Sequence, residues 1–149
     1  MQKMIFVNLP VADLPRSRAF YEAIGFTNVP RFTDETAAAM QLSDTIVVMI
    51  LTHEKWRTFT TREIPDAKKS AQVALCVSMD SREAVDAITK RAAEAGGGAD
   101  PTPADDHGFM YIRSFDDPDG HIWESMWMDV SAIPGGEAAV SAEPAPASA

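Results

Sequence analysis

Cysteine is nearly absent from this chain. Cys76 stands alone in 149 residues, which excludes an internal disulfide and fits a reducing compartment. Long apolar runs are missing as well. No stretch approaches the ~20 consecutive apolar residues that span a bilayer, and the amino terminus lacks the basic and apolar blocks of a signal peptide. A cytoplasmic protein with no membrane partner is therefore expected. Positive charge is scarce, with 13 Lys and Arg against 22 Asp and Glu and a formal net charge of −9. That balance argues against nucleic acid and anionic membranes as partners and leaves small molecules or other proteins.

What is present is a set of alternating and capped segments. From Met4 to Val11, Ile5, Val7, Leu9 and Val11 alternate with Met4, Phe6, Asn8 and Pro10, which predicts a strand with one strongly apolar face. Asp13 is placed to cap a helix, with Pro15 in its first turn and Gly25 at its end. Strands are expected around Thr27 to Phe32, Ala37 to Leu42 and Thr45 to Thr52. A second half opens the same way: Ala71 to Met79 alternates, Asp80 caps a helix with Glu83 as capping-box partner, and Gly96-Gly97-Gly98 stops it. Strands over Phe109 to Phe115 and Ile122 to Met128 follow, joined by the Asp117-Pro118-Asp119-Gly120 turn. From Ser131 onward small and polar residues dominate, so 131–149 is expected to be a disordered tail.

The two halves share one order of elements, as a duplicated βαβββ module would. The expected fold is α+β, a single domain over 1–130 made of modules at about 1–52 and 71–130, with a linker at 53–70. Each helix covers one face of its sheet and leaves the other free to curve around a cavity. Val7, Leu9, Val73 and Leu75 should face the helices, while Asn8, Gln72 and Glu124 look into the hollow. Glu124 alternates with Ile122, Met126 and Met128; a carboxylate in such company has its pKa raised by desolvation, a state suited to general acid-base work.

The linker carries aromatics and basic groups in an otherwise acidic chain. Trp56 and Phe59 share one face of a short helix at a spacing of three. One reading is a lid whose aromatics close over a ligand and whose Arg57 or Arg62 meets an anionic group; the other is a segment packed across a dimer interface. His107, flanked by Asp105 and Asp106, is a proton donor or substrate contact at the cavity mouth, or else a turn residue. His121 is read as structural, His53 as a loop residue, and Cys76 as a small buried thiol with no cationic neighbour to activate it.

Three segments in order, Asn8 to Asp13 running into Ser17-Arg18-Ala19-Phe20-Tyr21 and Gly25-Phe26, then Val73 to Val77, then Asp117 to Glu124, resemble the vicinal oxygen chelate superfamily. Its members include glyoxalase I, the bleomycin and fosfomycin resistance proteins and the extradiol dioxygenases. The resemblance covers roughly residues 4 to 128 and implies paired βαβββ modules forming a U-shaped mixed sheet around a cavity, usually in a homodimer. The tryptophans on the other face of the last strand are then interface candidates.

In metal-dependent members the ligands project from the first and last strands of each module, which implies Phe6, Ile50, Gln72 and Glu124 here. Gln72 and Glu124 carry donor atoms and are the metal-ligand candidates; Phe6 and Ile50 carry none. Two ligands fall short of the three protein ligands that a catalytic site usually needs, so no cofactor is assigned and a divalent metal stays open. The resemblance thus leaves two classes. One is a small-molecule-binding protein of the glyoxalase/bleomycin-resistance type, whose apolar, Met-lined hollow would sequester a small aromatic or cationic compound, with Asn8, Gln72, His107 and Trp56 as substrate-binding candidates. The other is a glyoxalase-like lyase or isomerase, less readily a dioxygenase, in which Glu124 is the catalytic residue, as base or as ligand, and Gln72 and Asn8 orient a substrate carbonyl.

Overall fold

The computed structural model describes residues 1–135; residues 136–149, most of the expected tail, lie outside it. The chain forms two mixed sheets, each with one long helix. In the first module β1 (Ile5–Val11), α1 (Leu14–Ala23), β2 (Thr27–Asn28), β3 (Ala37–Gln41) and β4 (Ile46–Thr52) give the sheet order β1-β4-β3-β2, with β1 parallel to β4. A short helix, α2 (His53–Trp56), opens the linker. In the second module β5 (Ala74–Ser78), α3 (Arg82–Glu94), β6 (Gly98–Ala99), β7 (Asp105–Asp106), β8 (Met110–Asp116) and β9 (Ile122–Met128) give the order β5-β9-β8-β6, with β7 added against β8. This is the α+β arrangement of two βαβββ modules with open mixed sheets.

Local signals account for the helix ends. The Asp13 side chain accepts from the Arg16 amide, Pro15 sits in the first turn, and Leu14, Ser17, Phe20 and Tyr21 turn one stripe inward. Gly25, at φ +108°, lets the chain leave α1 in a conformation open to glycine. At α3 the cap is Ser81, which accepts from the Ala84 amide, and not Asp80. Both residue types cap well; the phase that buries Val85, Ile88, Thr89 and Ala92 selects between them. The expected strand over Thr27 to Phe32 shrinks to two residues followed by a 3-10 turn over Pro30–Phe32, since Pro30 has no N–H to give a ladder. The start of the expected tail instead forms a 3-10 turn over Val130–Ala132.

The helix-bearing sides of both sheets meet in one core. Val11, Tyr21, Phe26, Val48 and Ile50 from the first module pack with Val77, Ile88, Phe115 and Trp123 from the second. Tyr21, Phe26 and Trp123 contact one another edge-on, and Phe115 stacks on Trp123. Trp123 is 2% exposed, so it belongs to this core and not to an interface. Arg113 spans Asp86 on α3 (2.7 Å) and Asp100 (2.6 Å), tying the helix to its sheet.

The Asp117 turn joins the modules. Asp117 is buried, and one of its oxygens accepts from the Tyr21 hydroxyl (2.8 Å) while the other accepts from the amides of Asp119, Gly120 and His121. Trp123 Nε1 donates to the same Tyr21 oxygen (3.1 Å). Asp119 accepts from the Ala12 amide (2.8 Å) and the Ser17 hydroxyl, and His121 Nε2 donates to the Pro10 carbonyl (2.7 Å). Burial pushes the Asp117 carboxyl up, against the opposing pull of His121 and of the Tyr21 hydroxyl; burial and then the Asp117 charge hold the Tyr21 phenol well above its usual value, keeping it a donor.

Replacing Asp117 by Ala orphans these donors and should destabilise the protein by about 3 kcal/mol, against about 1 kcal/mol for Tyr21→Phe. Urea unfolding of both variants measures the difference.

Candidate functional site

The sequence candidates divide between two places. β1 and β5 are the inner edges of their sheets, and a hollow of about 470 Å³ lies between them, lined by Asn8, Trp56, Phe59, Gln72, Leu75 and Ile122 among others. Asn8, Trp56 and Gln72 are thus brought together. Glu124 and His107 are not among the lining residues.

The linker roofs this hollow as a strap. Thr52 caps α2 through the Lys55 amide, and Phe59, Thr60 and Arg62 carry the chain over the gap. The strap comes down on Gly120, where a Cβ would lie 2.7 Å from Lys68 Cγ and 2.8 Å from the Lys68 amide nitrogen. Only a residue without a side chain admits that approach, and Gly120 also holds φ +100°. On the strap's other side is a more polar cleft of about 750 Å³, lined by His53, Arg57, Arg62, Asp119 and His121 among others. Arg62 and His121 line both spaces. His53 and His121, read from sequence as loop and structural residues, therefore both border a cavity.

Glu124 lies on the face of the second sheet turned away from the core. Its ladder neighbours are Cys76 on β5 and Ser114 on β8. Cys76 is exposed on this face and not buried as expected, because β5 is an edge strand with β9 on one side alone. Partial desolvation by its neighbours and then the Glu124 charge push its thiol up, so it stays protonated and a poor nucleophile at neutral pH. The Ser114 hydroxyl is already committed to Thr102, donating to its carbonyl and accepting from its amide.

One position inferred for metal ligation changes place. Ile50 is fully buried in the shared core; Asn8 pairs with Met49 in the β1–β4 ladder, so Met49 and not Ile50 shares the open face with Asn8. Val73, expected to face a helix, precedes β5 and is 64% exposed. Phe6 is 57% exposed and offers no donor atom.

Gln72 precedes β5, at a bend in the chain, and lines the hollow, whereas Glu124 on β9 does not. The structure therefore does not bring Gln72 and Glu124 together in that hollow. Among the described residues no group of three or more His, Cys, Asp or Glu is placed to hold a metal ion. Among the described residues, the donors that one chain brings together do not make a set that fits a resident metal.

With the paired modules and the inter-edge hollow in view, comparison with known proteins decides the family. Residues 3–125 match the family described as Glyoxalase/Bleomycin resistance protein/Dioxygenase superfamily. The chain belongs to this superfamily. A glyoxalase-related enzyme from Fulvimarina pelagi superposes with a TM-score of 0.72 at 24% identity, covering 87% of this chain and 91% of that one. A glyoxalase/bleomycin resistance protein/dioxygenase family enzyme from Burkholderia phytofirmans PsJN gives 0.71 at 18%, covering 85% and 99%. Fosfomycin resistance protein FosX from Mesorhizobium loti gives 0.63 at 15%, covering 88% and 96%. At these identities the likeness concerns the fold. No curated protein matches the sequence. Among the described residues of this superfamily member, no helix is long and apolar enough to cross a membrane.

His107 belongs to the β7–β8 hairpin, where its Nε2 lies 3.0 Å from Asp105. Arg82 anchors that hairpin: its guanidinium donates to Asp106 and to the Gly108 carbonyl and covers the Tyr111 ring at 4.4 Å. The Arg82 hydrogen bonds, helped by the Gly108 amide, hold the Asp106 carboxyl at about 2. A depressed carboxylate favours the folded state above its unfolded pKa, and that contribution disappears as pH falls through the folded value. The Arg82–Asp106 tie should therefore persist at about pH 3, where free carboxylates are mostly protonated. NMR titration of the Asp106 carboxyl carbon should show the low midpoint, and Arg82→Ala should return it to the ordinary range.

Proposed function

We propose that this superfamily member is a small-molecule-binding protein of the glyoxalase/bleomycin-resistance type, with its ligand in the hollow between β1 and β5. The carrying observation is that Asn8, Trp56 and Gln72 line one hollow of about 470 Å³, within the size range of ligand pockets. Phe59, Leu75 and Ile122 supply an apolar wall, Trp56 a flat aromatic surface, and Asn8 and Gln72 side-chain amides that hydrogen-bond an uncharged polar group. His107 then acts as a hairpin residue.

The lyase or isomerase reading would centre on Glu124. It has less support, since Cys76 and Ser114 beside it offer neither an activated nucleophile nor an uncommitted hydroxyl. The two readings separate in one experiment. Phenylnaphthylamine, a neutral aromatic probe, should bind saturably; Trp56→Ala should weaken it by about tenfold, some 1.4 kcal/mol, and Glu124→Gln should leave it unchanged. Turnover of an α-oxoaldehyde–thiol adduct that is abolished by Glu124→Gln would overturn the binding reading in favour of the lyase.

Metal is tested separately. Plasma mass spectrometry of chelator-free protein should find no stoichiometric divalent ion, and Mn²⁺, Ni²⁺ or Zn²⁺ should shift the thermal transition of wild type and Glu124→Ala equally. Near-stoichiometric metal lost in the variant would overturn this.

The working unit is proposed to be residues 1–130 as a cytoplasmic homodimer, a setting that suits the exposed thiol of Cys76. The open sheet faces look away from the shared core and carry exposed apolar groups such as Phe6, surface that a second copy would cover. Light scattering should give twice 16.2 kDa, and removing 131–149 should leave the thermal transition in place.

A further inference from the structure

The hollow and the cleft are neighbours with a common wall. Pro10 and His121 border both spaces, as do Thr60, Arg62, Pro65 and Ala67 of the strap. The strap thus forms one side of the wall, and the pair Pro10 and His121 the other.

The ladder explains why that second side is a side-chain bridge. In β1 the Ile5 amide donates to the Thr45 carbonyl beside β4, so the main-chain groups of Ile5, Val7, Leu9 and Val11 turn toward β4 and those of Phe6, Asn8 and Pro10 toward the free edge. Pro10 has no N–H to offer there, and no strand lies beside its carbonyl. His121 supplies the missing donor. Its Nε2 lies 2.7 Å from the Pro10 oxygen, a half-buried contact that joins residues 111 positions apart in the sequence.

His121 is itself held from behind. Its amide donates to Asp117 Oδ1 (2.9 Å) and its carbonyl accepts from the Asp117 amide (3.0 Å). Asp119 accepts from the Ala12 amide, two residues beyond Pro10. The imidazole therefore projects from a fixed turn in one module and ends on a fixed carbonyl in the other, at the boundary of the two spaces.

We infer that His121 is a specificity-determining residue for ligand length, its bridge to Pro10 being the partition that ends the hollow on the side of the cleft. This rests on the binding reading above and adds a size limit to it. With the ring in place, a ligand seated on Trp56 and Phe59 stops at the bridge. Without it, the hollow opens into the cleft of about 750 Å³, and a longer ligand continues beneath the strap.

A series of para-alkylphenols from methyl to octyl, displacing phenylnaphthylamine from full-length protein, tests this. Each methylene that is buried strengthens binding by about fourfold, so wild-type affinity should climb with chain length and level off where the chain meets the bridge. His121→Ala should carry the climb on through the longer chains and bind octylphenol about tenfold more tightly than wild type does. His121→Asn, too short to reach Pro10, should behave in the same way, whereas His121→Gln, whose amide places a donor near the position of Nε2, should keep the wild-type plateau. Each variant is compared after its thermal transition has been verified. A wild-type series with no plateau, or one plateau shared by wild type and the shortened variants, would overturn the partition and leave the hollow standing. Absence of saturable phenylnaphthylamine binding to wild type would remove the hollow as a ligand site, and the partition with it.

Discussion

One buried carboxylate holds the two halves in register. Asp117 receives the Tyr21 hydroxyl from the first module and three amides from its own turn, with Trp123 feeding the same phenol from beneath. Burying this group is unfavourable in itself, as the upward push on its carboxyl records. It is tolerated because nearly all of its accepting capacity is used. Asp119 and His121 extend the clamp to the end of β1 and the start of α1, so the positions of Asn8 and of the inter-edge hollow depend on this turn.

Much of the fold was legible in the sequence because its signals are local. Asp13 and Gly25 mark the ends of α1, and Ile122 to Met128 is the last strand as alternation predicts. β4 shows where that legibility stops. Val47, Val48, Ile50 and Leu51 are all buried, so the strand is apolar on both faces and alternation no longer tells inside from outside. A shift of one residue exchanges the faces of a strand, which is how Ile50 came to be expected in the hollow when it packs in the core.

The site was legible in part, for a different reason. Asn8, Trp56 and Gln72 come together because β1, the strap and the approach to β5 converge, a meeting that the order of elements foreshadows. The role of Asp117-Pro118-Asp119-Gly120-His121 was not legible. As a string it signals a turn, and its partners Tyr21, Ala12, Ser17 and Pro10 lie in the other module. Gln72 and Glu124 share a parity that would put them on one sheet face, but β5 begins only at Ala74, so Gln72 lies outside the ladder that carries Glu124.

The strap is fastened in an unusual manner. From Arg57 to Ser70 its hydrogen bonds run back to α2 or within itself, as from Thr58 to Lys55, Arg62 to Thr60, and Lys68, Lys69 and Ser70 to Asp66. Against the rest of the molecule it rests by packing, with Thr60, Ile64 and Ala67 half-buried and Lys68 set close on Gly120. A segment attached in this way behaves as a cassette. Its side chains, and even its length, are open to exchange without disturbing a ladder or the core, so recognition in this protein can diversify on a scaffold that stays the same.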